Sequence, residues 1–204
     1  MKIAVSILQI KDINELKIID NIGFDYLHLD IMDGKFVPNK TWDFKDIYEF
    51  VKDTKTPLDV HLMVEDIDSY VDDFKKLNPE FITFHYEASK DIKNTIRKIK
   101  DLNIKVGMSI KPNTTVDEIK PFLSELDLVL VMSVEPGFGG QKFMDSAISK
   151  VNELNALKGD YIVEIDGGIN DETITLVNPD VAVVGSFITN GNYEERLNIL
   201  KKLF

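Results

Sequence analysis

The 204-residue chain contains no cysteine and only three histidines. Without cysteine neither a disulfide framework nor a thiolate metal site can form, which fits a reducing compartment. Basic residues are also in deficit, since 24 Lys plus Arg against 35 Asp plus Glu leave a net charge of -11. That balance opposes sequence-independent binding to nucleic acid or anionic lipid, so neither is expected as a partner. An anionic small molecule is not excluded, because backbone amides can hold it locally. No run approaches the roughly 20 apolar residues of a membrane span, and the opening MKIAVSILQIKD turns charged too soon for a secretory signal. The expectation is a soluble, cytoplasmic protein without membrane contact, a single domain over residues 1–204.

What the chain does have is alternation. Short β-branched runs at 2–8, 25–32, 58–63, 81–86, 104–110, 128–133, 161–166 and 181–185 are separated by amphipathic stretches at 13–21, 46–52, 69–77, 92–102, 116–123 and 146–156. A last amphipathic stretch covers 193–204. Strands alternating with helices pair in parallel, and this pattern fits an α/β fold that closes as a compact (β/α)₈ barrel. An open doubly wound sheet is the alternative, because periodicity does not show closure. Both architectures bind ligands at the C-terminal ends of their strands.

The unusual residues lie at those ends. His28 and Asp30 in YLHLDIMDG, His61 in PLDVHLMV and Asp166 in YIVEIDGGI share inward parity on three strands. Two imidazoles and two carboxylates suit one divalent cation such as Zn, Fe, Mn or Co. Asp59 and Glu164 have the same parity but sit lower, as buried polar groups that need partners. His85 ends the fourth run and reads as a hydrogen-bonding neighbour of the cluster. Lys111 and Lys142 follow strands and read as solvated loop residues.

Three glycine-bearing loops, around Gly137, Gly139 and Gly140, around Gly167 and Gly168, and at Gly185 and Ser186, make a phosphate site plausible. Glycine lets an anion approach the backbone closely, and barrels often place phosphate at their last loops. Met32, Met63, Met108 and Met132 each stand near a strand end. They read as packing of the upper barrel, with a possible second use as non-titrating walls that dry the site.

SIL at residues 6–8, HLDIMDGKFVPN at 28–39, LDVHLMVE at 58–65, VMSVEPGFGGQKF at 131–143 and EIDGGIN at 164–170 together resemble the ribulose-phosphate 3-epimerase family across essentially the whole chain. The resemblance implies a single (β/α)₈ TIM barrel of the ribulose-phosphate-binding type. It implies interconversion of D-ribulose 5-phosphate and D-xylulose 5-phosphate with a divalent metal held by His28, Asp30, His61 and Asp166. Asp30 and Asp166 would be the acid/base pair. Ser6, His61, the loop Gly137, Phe138, Gly139 and Gly140, then Asp166, Gly167 and Gly168, then Gly185 and Ser186 would contact substrate, with Met32, Met63 and Met132 as pocket wall. A homo-oligomer is a further family-level expectation. The chain departs from the family's pattern at Val5 and at 9–11 in the first unit, and at 40–43 after the second strand.

The chemistry agrees with that implication. Inverting a carbinol carbon beside a ketone requires a proton to leave one face and another to arrive on the opposite face, so two acid/base groups must flank the carbon. An ordinary aspartate is a weak base for such a proton, so the enediolate must be stabilised, as a Lewis-acidic cation would do. The alternatives are a hexulose-phosphate (allulose 6-phosphate) 3-epimerase with the same ligands, a Schiff-base aldolase, and a non-catalytic sugar-phosphate-binding barrel.

Overall fold

The computed structural model describes residues 1–157 and 159–204. Among them run eight parallel strands, β1 (Lys2–Ser6), β2 (Tyr26–Met32), β3 (Leu58–Met63), β4 (Phe81–His85), β5 (Lys105–Ile110), β6 (Leu128–Met132), β7 (Ile162–Asp166) and β8 (Val181–Val184). Each pairs with the next, and β1 returns to β8 from Lys2 with Val181 to Val5 with Val184, so the sheet closes into a barrel. Closure decides against the open doubly wound alternative.

The described helices are α1 (Ile13–Ile22), α2 (Phe44–Val51), α3 (Ile67–Phe74), α4 (Ile92–Lys100), α5 (Val116–Ile119), α6 (Ser146–Leu157), α7 (Ser186–Thr189) and α8 (Tyr193–Lys201). Part of the acidic surplus starts them: Asp12, Asp66 and Asp91 accept the free N–H groups at the first turns of α1, α3 and α4. Several bounds differ from the periodicity. Residues 7–8 leave β1, where Ile7 N–H donates to the His28 carbonyl outside the regular ladder. The stretch 116–123 is α-helical only to Ile119 and continues as a 3₁₀ turn (Lys120–Glu125), because Pro121 lacks an N–H and cannot extend the ladder. The stretch 69–77 begins earlier, at Ile67, and its last turn is likewise 3₁₀ (Lys75–Leu77). Between β7 and β8 lies only a 3₁₀ turn, Thr173–Leu176.

Strand parity creates two cores. Val5, Leu29, Ile31, Val60, Leu62, Val106, Val131 and Ile165 face outward and pack with the helices in one continuous apolar shell. Met108 belongs to this shell, so the expectation that it lies in the upper barrel is corrected: its parity on β5 is opposite to that of Gly107 and Ser109. Inside the barrel Ala4, Tyr26, Phe81, Leu128, Leu130, Val181 and Val183 form a second, smaller apolar cluster. Above that floor the inward positions turn polar, with His28, Asp59, His61, Thr83, His85, Ser109 and Glu164 all buried. Gly107 is what lets that layer close, because a Cβ there would stand 2.1 Å from Thr83 Oγ1.

Candidate active site

Register brings the inward polar residues together. Across β2 and β3, His28 pairs with Asp59, Asp30 with His61 and Met32 with Met63, while Met132 on β6 pairs with Asp166 on β7. His28, Asp30, His61 and Asp166 each offer one ligand atom, and these atoms all lie within 4.8 Å of one another. The geometry assigns most of them. His28 Nδ1 is taken up by Asp59 Oδ2 at 2.5 Å, which leaves Nε2, 3.4 Å from Asp30 Oδ1. His61 Nε2 is taken up by His85 Nε2 at 2.9 Å, which leaves Nδ1, 3.3 Å from the same Asp30 oxygen. Asp30 Oδ2 accepts from the Ser6 hydroxyl at 2.7 Å.

Burial and close charges shift three of these groups. Burial alone would raise the Asp30 carboxyl, but the nearby charge of His28, with His61, holds it well below the usual carboxylate range. Burial, and then the charge of Asp30, push Asp166 up to about 6. Burial would lower His28, yet the charges of Asp59 and then Asp30 carry it well above an imidazole's usual value. Fully buried His28 Nε2 has no hydrogen-bond partner among the described residues. An orphaned imidazole nitrogen amid carboxylate oxygens is what a bound cation would satisfy, so the residues fit a divalent metal of the kind that takes mixed nitrogen and oxygen ligands. Glu164 lies beneath, both oxygens unpartnered among the described residues, and burial followed by the charge of Asp59 raises its pKa well above the usual carboxylate range.

The cluster opens into one cleft at the C-terminal end of the barrel. Ser6, Asp30, Met32, Met63, Met132, Asp166 and all the glycine-loop residues expected from the sequence line it: Gly137, Phe138, Gly139, Gly140, Gly167, Gly168, Gly185 and Ser186. His28 and His61 stand behind that surface, fully buried. Gly167 (φ 119°) and Gly168 (φ 63°) turn the chain directly after Asp166, and a Cβ on Gly168 would stand 2.5 Å from Phe143 N. Gln141, which the sequence reading passed over, braces the opposite loop by donating to the carbonyls of Glu135 (2.6 Å) and Phe138 (2.9 Å). No lysine lines the cleft among the described residues; Lys111 lies 4.0 Å over the Phe36 ring and Lys142 in a separate groove.

A sequence model of the ribulose-phosphate 3 epimerase family matches residues 2–189. This chain belongs to that family. Among its relatives, a ribulose-phosphate 3-epimerase of Bacillus subtilis (strain 168) is 40% identical over 86% of this chain and 84% of its own length. One of Rhodobacter capsulatus is 40% identical over 94% of this chain and 87% of its own. Family membership makes the chain an enzyme, an isomerase, and supports epimerisation of a pentose phosphate. Among solved structures, a phosphoribosyl anthranilate isomerase from Thermococcus kodakaraensis superposes with a TM-score of 0.69 over 99% of this chain and 97% of its own at 12% identity. Mycobacterium tuberculosis tryptophan synthase does so with a TM-score of 0.68 over 99% of this chain and 89% of its own at 14% identity. At such identities the likeness is one of fold alone.

Proposed function

We propose that the chain, acting as one catalytic domain over residues 1–204, interconverts D-ribulose 5-phosphate and D-xylulose 5-phosphate by inversion at C3. The observation that carries the reading is the convergence of His28, Asp30, His61 and Asp166 on one centre at the floor of the cleft. Asp30 on β2 and Asp166 on β7 approach that centre from different strands, so a carbinol carbon between them presents one face to each carboxyl group. One removes the C3 proton while the other supplies a proton to the opposite face, and the roles exchange for the reverse epimer. Ser6 holds Asp30 at its second oxygen and so fixes which way the carboxylate faces. A divalent cation (Zn, Fe, Mn or Co) held by the four residues would supply Lewis-acid stabilisation of the negative charge that develops on the substrate oxygens.

The remaining cleft residues serve binding. Peptide N–H groups of the loops at 137–140, 167–168 and 185–186 would hold the phosphate, whose binding energy orients a carbon remote from it. Met32, Met63 and Met132 wall the reacting end without adding a group that titrates. The partner is thus a small sugar phosphate. We place the chain in the cytoplasm, where a rice relative named as a cytoplasmic isoform, 43% identical over 75% of this chain and 69% of its own, belongs. Self-association of copies is proposed from the exposed apolar Ile18, Trp42 and Leu176, and sedimentation tests it.

The deciding experiment follows exchange of the C3 proton in deuterated water, with pentulose and hexulose phosphates side by side. Exchange with inversion of the pentulose phosphate is expected. Turnover confined to the hexulose phosphate would overturn the substrate assignment, and borohydride trapping of substrate on the protein would overturn the reaction.

A further inference from the structure

Each of the chain's three histidines has a ring nitrogen hydrogen-bonded behind or beside the shared centre. A carboxylate stands directly behind His28, in Asp59. Behind His61 the connection is longer. His61 Nε2 lies 2.9 Å from His85 Nε2, and His85 Nδ1 lies 3.1 Å from Oε2 of Glu87. The other Glu87 oxygen accepts from the Lys111 N–H at 2.7 Å and from the Thr114 hydroxyl at 2.5 Å, which anchors the carboxylate to the loop after β5. The Phe36 ring packs on His85 at 4.8 Å between centroids and hinders it from turning.

For a neutral His61, the form that can ligate a metal, proton counting along this chain leaves one consistent arrangement. A carboxylate only accepts, so Glu87 requires a proton on His85 Nδ1. His85 is fully buried and has no second carboxylate partner among the described residues, so its other nitrogen carries a lone pair. His61 Nε2 must then donate to it. That leaves the lone pair of His61 on Nδ1, the nitrogen that faces Asp30 Oδ1 at 3.3 Å.

We propose that Glu87 is a positioning residue for the metal centre: acting through His85, it fixes the His61 proton on Nε2 and so presents Nδ1 to a divalent cation. The inference rests on reading His28, Asp30, His61 and Asp166 as that centre. Glu87 touches neither cation nor substrate; it acts on the tautomer of an imidazole one residue removed. Asp59 does the same for His28 directly, so each ligating imidazole is oriented by a carboxylate from behind. An amide at position 87 breaks the logic, because its NH₂ can donate to His85 Nδ1. His85 would then donate from Nε2, and the His61 proton would move to Nδ1 and block it.

The test uses protein labelled with ¹⁵N in histidine, dialysed against chelator and then titrated with Zn²⁺, with H28Q, H61Q and H85Q assigning the three imidazoles in long-range ¹H–¹⁵N spectra. We expect His85 as the Nδ1–H tautomer throughout, and Zn²⁺ to shift Nδ1 of His61 rather than Nε2. In E87Q the His85 tautomer should become mixed or inverted, and Zn²⁺ binding measured by chelator competition should weaken by about 10–100-fold, with circular dichroism unchanged. Wild-type protein that binds Zn²⁺ while His85 carries its proton on Nε2 would overturn the proposal and spare the metal centre. So would an E87Q protein that binds Zn²⁺ as tightly as wild type. Wild-type protein that binds no divalent ion would overturn both. The wild-type spectrum decides even if E87Q does not fold.

Discussion

Ser6 and Asp30 are joined by a 2.7 Å hydrogen bond from the serine hydroxyl to Oδ2, while Oδ1 of the same carboxylate faces His28 Nε2 at 3.4 Å and His61 Nδ1 at 3.3 Å. The two oxygens of Asp30 therefore have separate tasks, one fixed by β1 and one turned to the shared centre. Replacing either aspartate by asparagine preserves shape but removes a proton acceptor. Asp30→Asn and Asp166→Asn are each expected to lower turnover of D-ribulose 5-phosphate by at least ~10²–10⁴-fold, with a cooperative thermal transition retained. Turnover close to wild type in either variant would count decisively against a mechanism with two acid/base groups.

Ion removal gives an independent check. Two imidazoles with two carboxylates prefer transition-metal ions to Mg²⁺, which favours all-oxygen coordination. Exhaustive chelation is expected to abolish activity, and Zn²⁺, Mn²⁺, Co²⁺ or Fe²⁺ should restore it better than Mg²⁺. Full activity in protein whose measured ion content is far below one per chain would refute the dependence.

The phosphate end of the cleft can be tested with two glycines that share a left-handed backbone but not their surroundings. Gly168 (φ 63°) has no room for a Cβ, which would stand 2.5 Å from Phe143 N and 2.9 Å from Gln141 O; Gly140 (φ 74°) has nothing within 4 Å. Gly140→Ala should cost only backbone strain, about 1–2 kcal/mol. Gly168→Ala must also displace the backbone at 141–143, so its KM for the sugar phosphate should rise at least about tenfold above that of Gly140→Ala, in line with a displaced positioning contact. Equal kinetics for the two variants would detach this loop from substrate binding.

Much of this was legible in the sequence because parity is a local property. His28, Asp30, His61 and Asp166 could be put on one face from spacing two along each strand, and register then brought the strands together. Met108 was misplaced where that reasoning was not applied, since its parity on β5 turns it into the outer shell. Pro121 announced the end of α5 through its missing N–H, a signal present in the chain but overridden by the run of apolar spacing. That His85 hydrogen-bonds beside the cluster is legible from its place at the end of the fourth run, whereas its partner, His61, is given only by the folded structure. Glu87 was not legible, although it continues the inward parity of Phe81, Thr83 and His85, because its role depends on a loop after another strand, reached only through folding.

Glu87 also leaves a signature in acid stability. Burial would raise its pKa, but hydrogen bonds from His85, Thr114 and the Lys111 N–H outweigh it and hold the carboxyl at about 2, against an unperturbed value of 4.5. A carboxyl group depressed in the folded state binds fewer protons there than in the unfolded chain between those two values, so it adds stability above pH 4.5 that is lost as the pH falls toward 2. The side chain is partly exposed, and screening reduces the contribution to about 1–2 kcal/mol at neutral pH. Urea unfolding of chelator-treated wild type and Glu87→Gln should therefore show a stability gap that is constant from pH 7 to about pH 5 and narrows progressively below. A gap that stays flat to pH 3, or widens on acidification, would mean that the Glu87 carboxylate is not held by His85 and Thr114 in solution.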